Sequence, residues 1–141
     1  MAVKFFFNQV SIPLNQRRHL KQFIVKLFLL EGKQLASLNY IFCGDEYLLG
    51  INTEFLAHDD YTDIITFTLS SPSEPTEGEV YISVDRVKSN AASIGVNIDK
   101  ELHRVIFHGA LHLCGYNDKT VVDKDAMTAL EDKYLTMYFS E

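Results

Sequence analysis

One stretch of this sequence limits the fold more than any other. From Leu102 the chain reads LHRVIFHGALHLC, with Leu102, Val105, Ile106, Phe107, Leu111 and Leu113 spread over nearly every face of a helix. A helix that is apolar almost all round has to be buried. The rest of the chain must therefore cover it on several sides. Two imidazoles, His108 and His112, lie inside this run, and buried polar rings must find partners or lose stability.

The material for that cover is legible on both sides of the run. Val3 to Val10 is aromatic and β-branched and reads as a strand, ended by Pro13. Asn15 to Glu31 reads as an amphipathic helix: Leu20, Phe23, Ile24, Leu27 and Leu30 recur at three and four, and Gly32 stops it. Leu35 to Cys43 is a second strand. Asp45 is expected to cap a helix through Leu48, Leu49, Asn52 and Phe55 to about Ala57. Asp63 to Ser70 is a third strand, followed by the flexible loop SSPSEPTEG. Glu79 to Val84 is a fourth strand, and Asp85 opens a short helix ending near Gly95. Asp99 is expected to cap the central helix, Lys100 to Cys114. Thr120 and Asp123 resemble a capping box opening a last helix to about Phe139. The expected fold class is α+β: a small mixed β-sheet of about four strands, helices packed on it, and one domain over residues 1–141.

Size and charge narrow the function. At 141 residues the chain can build a core without staples, and 47% apolar residues is ordinary for a globular protein. No apolar run reaches the ~20 residues a membrane helix needs, and the N-terminal stretch lacks the pattern of a secretory signal. Cys43 and Cys114 are too few for a disulfide framework, so a reducing cytoplasm is the expected location. The formal charge of −6 argues against gripping nucleic acid by bulk electrostatics.

Positions four apart on a helix share a face, with Cβ atoms about 5–6 Å apart. His108 and His112 have that spacing and can converge on one metal ion. Gly115 is a natural left-handed stop, after which Tyr116-Asn117-Asp118 turns back and Asp118 can reach the imidazoles. Two histidines and a carboxylate, with water in an open position, form a recognised catalytic zinc set. Chance spacing and a solvated turn aspartate are the plainer readings of the same residues. A zinc protease needs Glu directly after the first His, and Gly109 stands there, so the expected nucleophile is a water activated by the ion. His103 faces elsewhere on the helix and is expected to be exposed. His19 and His58 have no helical partner. Cys114 is expected to be a buried thiol, not a ligand.

The run HGALHLCGY, His108 to Tyr116, resembles the signature His-Gly-x-Leu-His-Leu-x-Gly-Tyr of the YbeY family of bacterial metallo-endoribonucleases. INTEFLAHDDYTDIITF resembles a second family segment through Asn52, Phe55, Asp59, Thr62, Asp63, Ile64, Ile65, Thr66 and Phe67. GEVYIS, Gly78 to Ser83, is a weaker third match. The resemblance implies an α+β fold and metal-dependent cleavage of single-stranded RNA. It also implies a role in maturing the 3′ end of 16S rRNA and in ribosome quality control, with ribosomal RNA and the small subunit as partners. The implied ion is zinc, one per chain, held by His108, His112 and Asp118, with manganese a further candidate. No nucleotide cofactor is implied.

Three departures from the family pattern matter. The third ligand, a His in better-known members, is Asp118, whose charge weakens the ion as a Lewis acid and favours harder metals. The family Arg after the aromatic is Leu56, leaving Arg86, Lys88 or Arg104 to face a phosphate. Gly-Asp of the third motif is Gly78-Glu79. Asp63 is carried as a further catalytic candidate, beside a plain role in a turn at a strand start. Asn52 and Phe55 are read as helix packing, and Tyr116 as packing at the helix end. A ribosome-assembly factor with a structural metal and no nuclease activity is the alternative.

Overall fold

The computed structural model describes residues 2–56 and 62–141. In chain order its elements are β1 (Val3–Phe7), α1 (Arg17–Leu30), β2 (Leu35–Cys43), α2 (Asp45–Leu56), β3 (Ile64–Thr68), β4 (Thr76–Ser83), α3 (Val84–Ile94), α4 (Ile98–Leu113) and α5 (Val121–Ser140). This is the α+β order expected from the sequence. The expected end of α2 at Ala57, His58, and Asp59 of the second motif lie outside the described residues.

The four strands form one mixed sheet in the order β1-β2-β4-β3. β1 and β4 each pair with β2 in parallel, and β3 pairs with β4 antiparallel. Parallel neighbours need a crossover, and α1 provides the one between β1 and β2. β3 and β4 form a hairpin. The loop expected to be flexible is shorter than its sequence suggests, because Thr76 and Gly78 already sit in β4, opposite Leu35 and Leu38. Its tip is tied internally: Ser71 Oγ donates to Glu74 Oε1 at 2.8 Å.

The apolar helix α4 is central, as its sequence requires. It packs against β3 and β4 on one side and against α1, α3 and α5 on the others. Leu102, Val105, Ile106, Phe107, Ala110 and Leu111 are all buried. Tyr40 on β2 donates its hydroxyl to the Ile106 carbonyl at 2.9 Å, satisfying its polar end inside the core. Two glycines let helix and sheet approach this closely. A Cβ on Gly109 would lie 2.8 Å from Val80 Cγ1 and 3.0 Å from Ile64 Cδ1. A Cβ on Gly78 would lie 2.8 Å from Leu113 Cδ1 and 3.1 Å from the Phe67 carbonyl oxygen.

Several local expectations are corrected. β1 ends at Phe7 rather than Val10, and Gln9 takes φ 56 just beyond it. Asp45 does not cap α2 but sits in its first turn, where its carboxylate accepts from Ser83 Oγ at 2.7 Å and Arg86 Nε at 3.2 Å. Ser83 caps α3 by accepting from the Arg86 amide, so the helix starts before Asp85. Asn97, not Asp99, caps α4: its Oδ1 accepts from the Lys100 amide at 2.7 Å. Both caps follow from the ordinary preference for a short polar acceptor at the cap position. Thr120 caps α5 as expected, accepting from the Asp123 amide at 3.0 Å. Phe55 is largely exposed at the end of α2, with its ring edge-on to Phe67 at 6.2 Å, whereas Asn52 is buried.

His103 is the clearest correction. It is 2% exposed rather than open to solvent. α5 folds back along α4 and stacks Tyr138 on the His103 ring at 5.1 Å, with Phe139 edge-on at the same distance. Its Nδ1 meets the Asp99 carbonyl at 2.7 Å.

Candidate metal centre

The centre lies at the C-terminal end of α4. His108 and His112 stand one turn apart on its only partly open face, ring centroids 4.5 Å apart and nearly perpendicular. The helix then ends in a Schellman arrangement: the Tyr116 amide donates to the Leu111 carbonyl at 3.1 Å and the Gly115 amide to the His112 carbonyl at 3.0 Å. Gly115 takes φ 109, a conformation L side chains rarely adopt. This reversal brings the Tyr116 carbonyl back to His112 and carries Asp118 over both rings.

Asp118 Oδ2 lies 3.3 Å from His108 Nε2 and 3.5 Å from His112 Nε2. One ligand atom from each of the three residues falls within 4.8 Å of the others, close enough to hold one metal ion. The opposite ring nitrogens are committed. His112 Nδ1 donates to the Tyr116 carbonyl at 2.8 Å, and His108 Nδ1 donates to Glu131 Oε2 at 2.5 Å. A carbonyl and a carboxylate only accept, so each ring carries its proton on Nδ1 and turns the Nε2 lone pair toward Asp118. Two lone pairs and a carboxylate oxygen aimed at one point repel each other. A metal ion between them would relieve that repulsion. Imidazoles whose second nitrogen donates to a carboxylate or a backbone carbonyl are the usual build of a metal site. The donor set therefore fits a divalent ion.

The three residues open on a cleft of about 400 Å³ whose other walls are Thr62, Asp63, Ile64, Arg104 and Val105. The structure thus places Asp63 at the same cleft as the histidines. Its backbone is a strand-entry residue, accepting from the Ser83 amide at 2.9 Å, and its Oδ2 accepts from Asn90 Nδ2 at 3.4 Å. Burial pushes the Asp63 carboxyl above its usual range, while His108 and Arg104 pull it down. Thr62 turns its hydroxyl to the Ile64 carbonyl at 3.4 Å.

Among the cations named from sequence, Arg104 is at the cleft. Arg86 is drawn to Asp45 on α2, and Lys88 is exposed on α3. Arg104 is heavily engaged: Nε and Nη2 donate to Glu101 at 2.8 and 2.5 Å, and Nη1 donates to Glu131 Oε1 at 2.9 Å. Leu56 ends α2, outside the residues lining this cleft. Cys114 is buried and is not part of the cluster.

Sequence reasoning missed Glu131 and Glu31. Glu31, just past α1, accepts from the hydroxyls of Tyr116 (2.6 Å) and Tyr134, and so holds the turn that carries the His112 acceptor. Tyr116 is thus a tether and a backbone acceptor, not merely packing. A charged residue on an otherwise buried helix face was the signal for Glu131, since buried carboxylates are almost always paired.

Comparison with known proteins supports the same family. The family described as Endoribonuclease YbeY matches residues 4–138. A protein of Cytophaga hutchinsonii named endoribonuclease YbeY is 46% identical over 136 residues, covering 96% of this chain and 95% of that protein. Namesakes from Porphyromonas gingivalis (44%, covering 96% and 89%) and Bacteroides thetaiotaomicron (42%, covering 97% and 99%) are nearly as similar. A Thermotoga maritima protein solved in solution shares the fold with a TM-score of 0.63 at 24% identity, covering 98% of this chain and 89% of that one. Agreement of this size over nearly the full length makes the chain a member of the YbeY endoribonuclease family.

Proposed function

We propose that this chain is a metal-dependent, single-strand-specific endoribonuclease, acting as one domain over residues 1–141. The observation that carries the reading is the convergence of two Nε2 lone pairs and the Asp118 carboxylate, with both Nδ1 atoms held by acceptors, in a family of endoribonucleases. His108, His112 and Asp118 would hold the ion, zinc first and manganese as the harder alternative. When bound, such an ion supplies Lewis acidity and lowers the pKa of water to near neutrality. Asp63, which lines the same cleft, would hold or accept a proton. Arg104 lines the same cleft, where it would face a phosphate oxygen. The proposed substrates are single-stranded RNA and ribosomal RNA, in maturing the 3′ end of 16S rRNA and in ribosome quality control. The proposed setting is the cytoplasm, possession of the small subunit as a partner following from the same role. No helix among the described residues is long and apolar enough to cross a membrane.

Two observations favour the assembly-factor alternative: the net charge is −6, and Arg104, the arginine lining the cleft among the described residues, is already paired with two carboxylates. The two readings separate on metal removal. For the enzyme, chelation abolishes cleavage, and adding zinc or manganese back restores it while the fold persists throughout. For the alternative, chelation loosens the fold and no intrinsic cleavage is ever present.

A further inference from the structure

We infer that Glu131 is a positioning residue that fixes His108 as a ligand, an inference that rests on the metal-site reading above. Glu131 is 3% exposed, on the face of α5 that packs against α4. One of its oxygens accepts from His108 Nδ1 at 2.5 Å, the other from Arg104 Nη1 at 2.9 Å. Arg104 is locked in turn by the fork it makes with Glu101. The chain Glu101–Arg104–Glu131–His108 therefore spans two helices and ends at the cleft.

A structural ion pair alone does not account for this arrangement. Arg104 already has a buried carboxylate partner in Glu101, and a buried ion pair is often no more stabilising than apolar residues of similar size. What the carboxylate uniquely supplies is an acceptor facing the ring. The other tautomer of His108 would turn an Nδ1 lone pair against Glu131 and place the proton on Nε2, where a ligand lone pair is needed. Glu131 excludes that tautomer before any ion arrives.

The geometry makes the consequence of Glu131→Gln specific. Arg104 has only donors, so the glutamine oxygen must face it and the amide NH₂ must face His108. That NH₂ donates to Nδ1 and drives the proton to Nε2. Two measurements read this: nitrogen-15 imidazole spectra of the metal-free protein above the titration range of its histidines, and zinc affinity by competition with a chromophoric chelator. The expected wild-type spectrum has His108 protonated at Nδ1, reversed in Glu131→Gln, with zinc affinity about 10–100-fold weaker. Glu131→Asp, which keeps an acceptor, should recover part of the loss. A wild-type His108 protonated at Nε2, or unchanged affinity and spectrum in Glu131→Gln, overturns the inference. If Glu131→Gln does not fold, the wild-type spectrum alone decides. If wild type takes up no zinc, or His112→Ala binds it as tightly, the site reading fails, and the metal-free spectra still decide the role of Glu131.

Discussion

Asp118 puts a negative charge where the family pattern has a third imidazole, and the cleft already holds Asp63. A carboxylate ligand would donate more charge to an ion than an imidazole does, so water activation would need a higher pH. Asp118→His should therefore retain zinc and shift the rise of cleavage rate to lower pH, as read from a pH–rate profile. Asp118→Ala should weaken zinc binding by more than the ~10–100-fold expected for an outer-shell partner. At this scale the sequence is informative where contacts are local. His108, His112, Gly115 and Asp118 lie within one turn and its reversal, so their spacing predicts their meeting. Glu131 lies 23 positions from His108, and Glu31 lies 85 from Tyr116. Those contacts depend on how α5 and the end of α1 dock, which no local periodicity encodes. The burial of His103 is not legible in the sequence for the same reason, because the rings that cover it come from α5.

Among the elements, the contact between α4 and the sheet sets the position of the histidines. Gly109→Ala gains about 0.8–1 kcal/mol of helix propensity. It also forces a Cβ to within 2.8 Å of Val80 Cγ1, and overpacking costs typically 1–3 kcal/mol. The clash should win: denaturant unfolding of Gly109→Ala should show a net loss of up to about 2 kcal/mol. Val80→Ala in the same chain should give a loss smaller than the sum of the two single changes, since the two sites touch. The order and type of elements were legible because apolar periodicity marks each of them. Their ends were not, because adjacent short polar residues compete for the cap. Asn97 and Asp99 are both good acceptors, and the chain selects the one whose oxygen reaches the Lys100 amide. Asn97→Ala should cost about 1 kcal/mol, and Asp99→Ala should not cost a cap.

For the whole molecule, two bulk properties make separate predictions. The charge of −6 leaves little cation to neutralise phosphates, so RNA affinity should fall only gently with salt. A plot of log affinity against log salt should have a slope no steeper than about −2, that is, some three phosphate contacts or fewer on a single strand. The two thiols govern part of the alkaline behaviour. Burial pushes Cys43 up to about 11 and Cys114 up to about 12, from 9.0. Above pH 9.0 the unfolded chain loses these protons first, so it binds fewer protons than the folded chain and stability falls as pH rises toward about 11. Between about pH 9 and 10, below the range where the buried tyrosines add the same trend, Cys43→Ala with Cys114→Ala should flatten that fall, as measured by urea unfolding. Both thiols should resist alkylation near neutral pH until the chain unfolds.

In the proposed function, His108, His112 and Asp118 together hold the ion on which RNA cleavage depends. The most direct measurement is cleavage of a single-stranded RNA by metal-stripped and zinc- or manganese-reloaded protein, with His112→Ala and Asp118→Ala purified identically and their metal content determined. Cleavage by the reloaded wild type alone is expected, with bound metal and activity lost together in both variants. Equal weak cleavage by all three proteins, whatever their metal content, would contradict it.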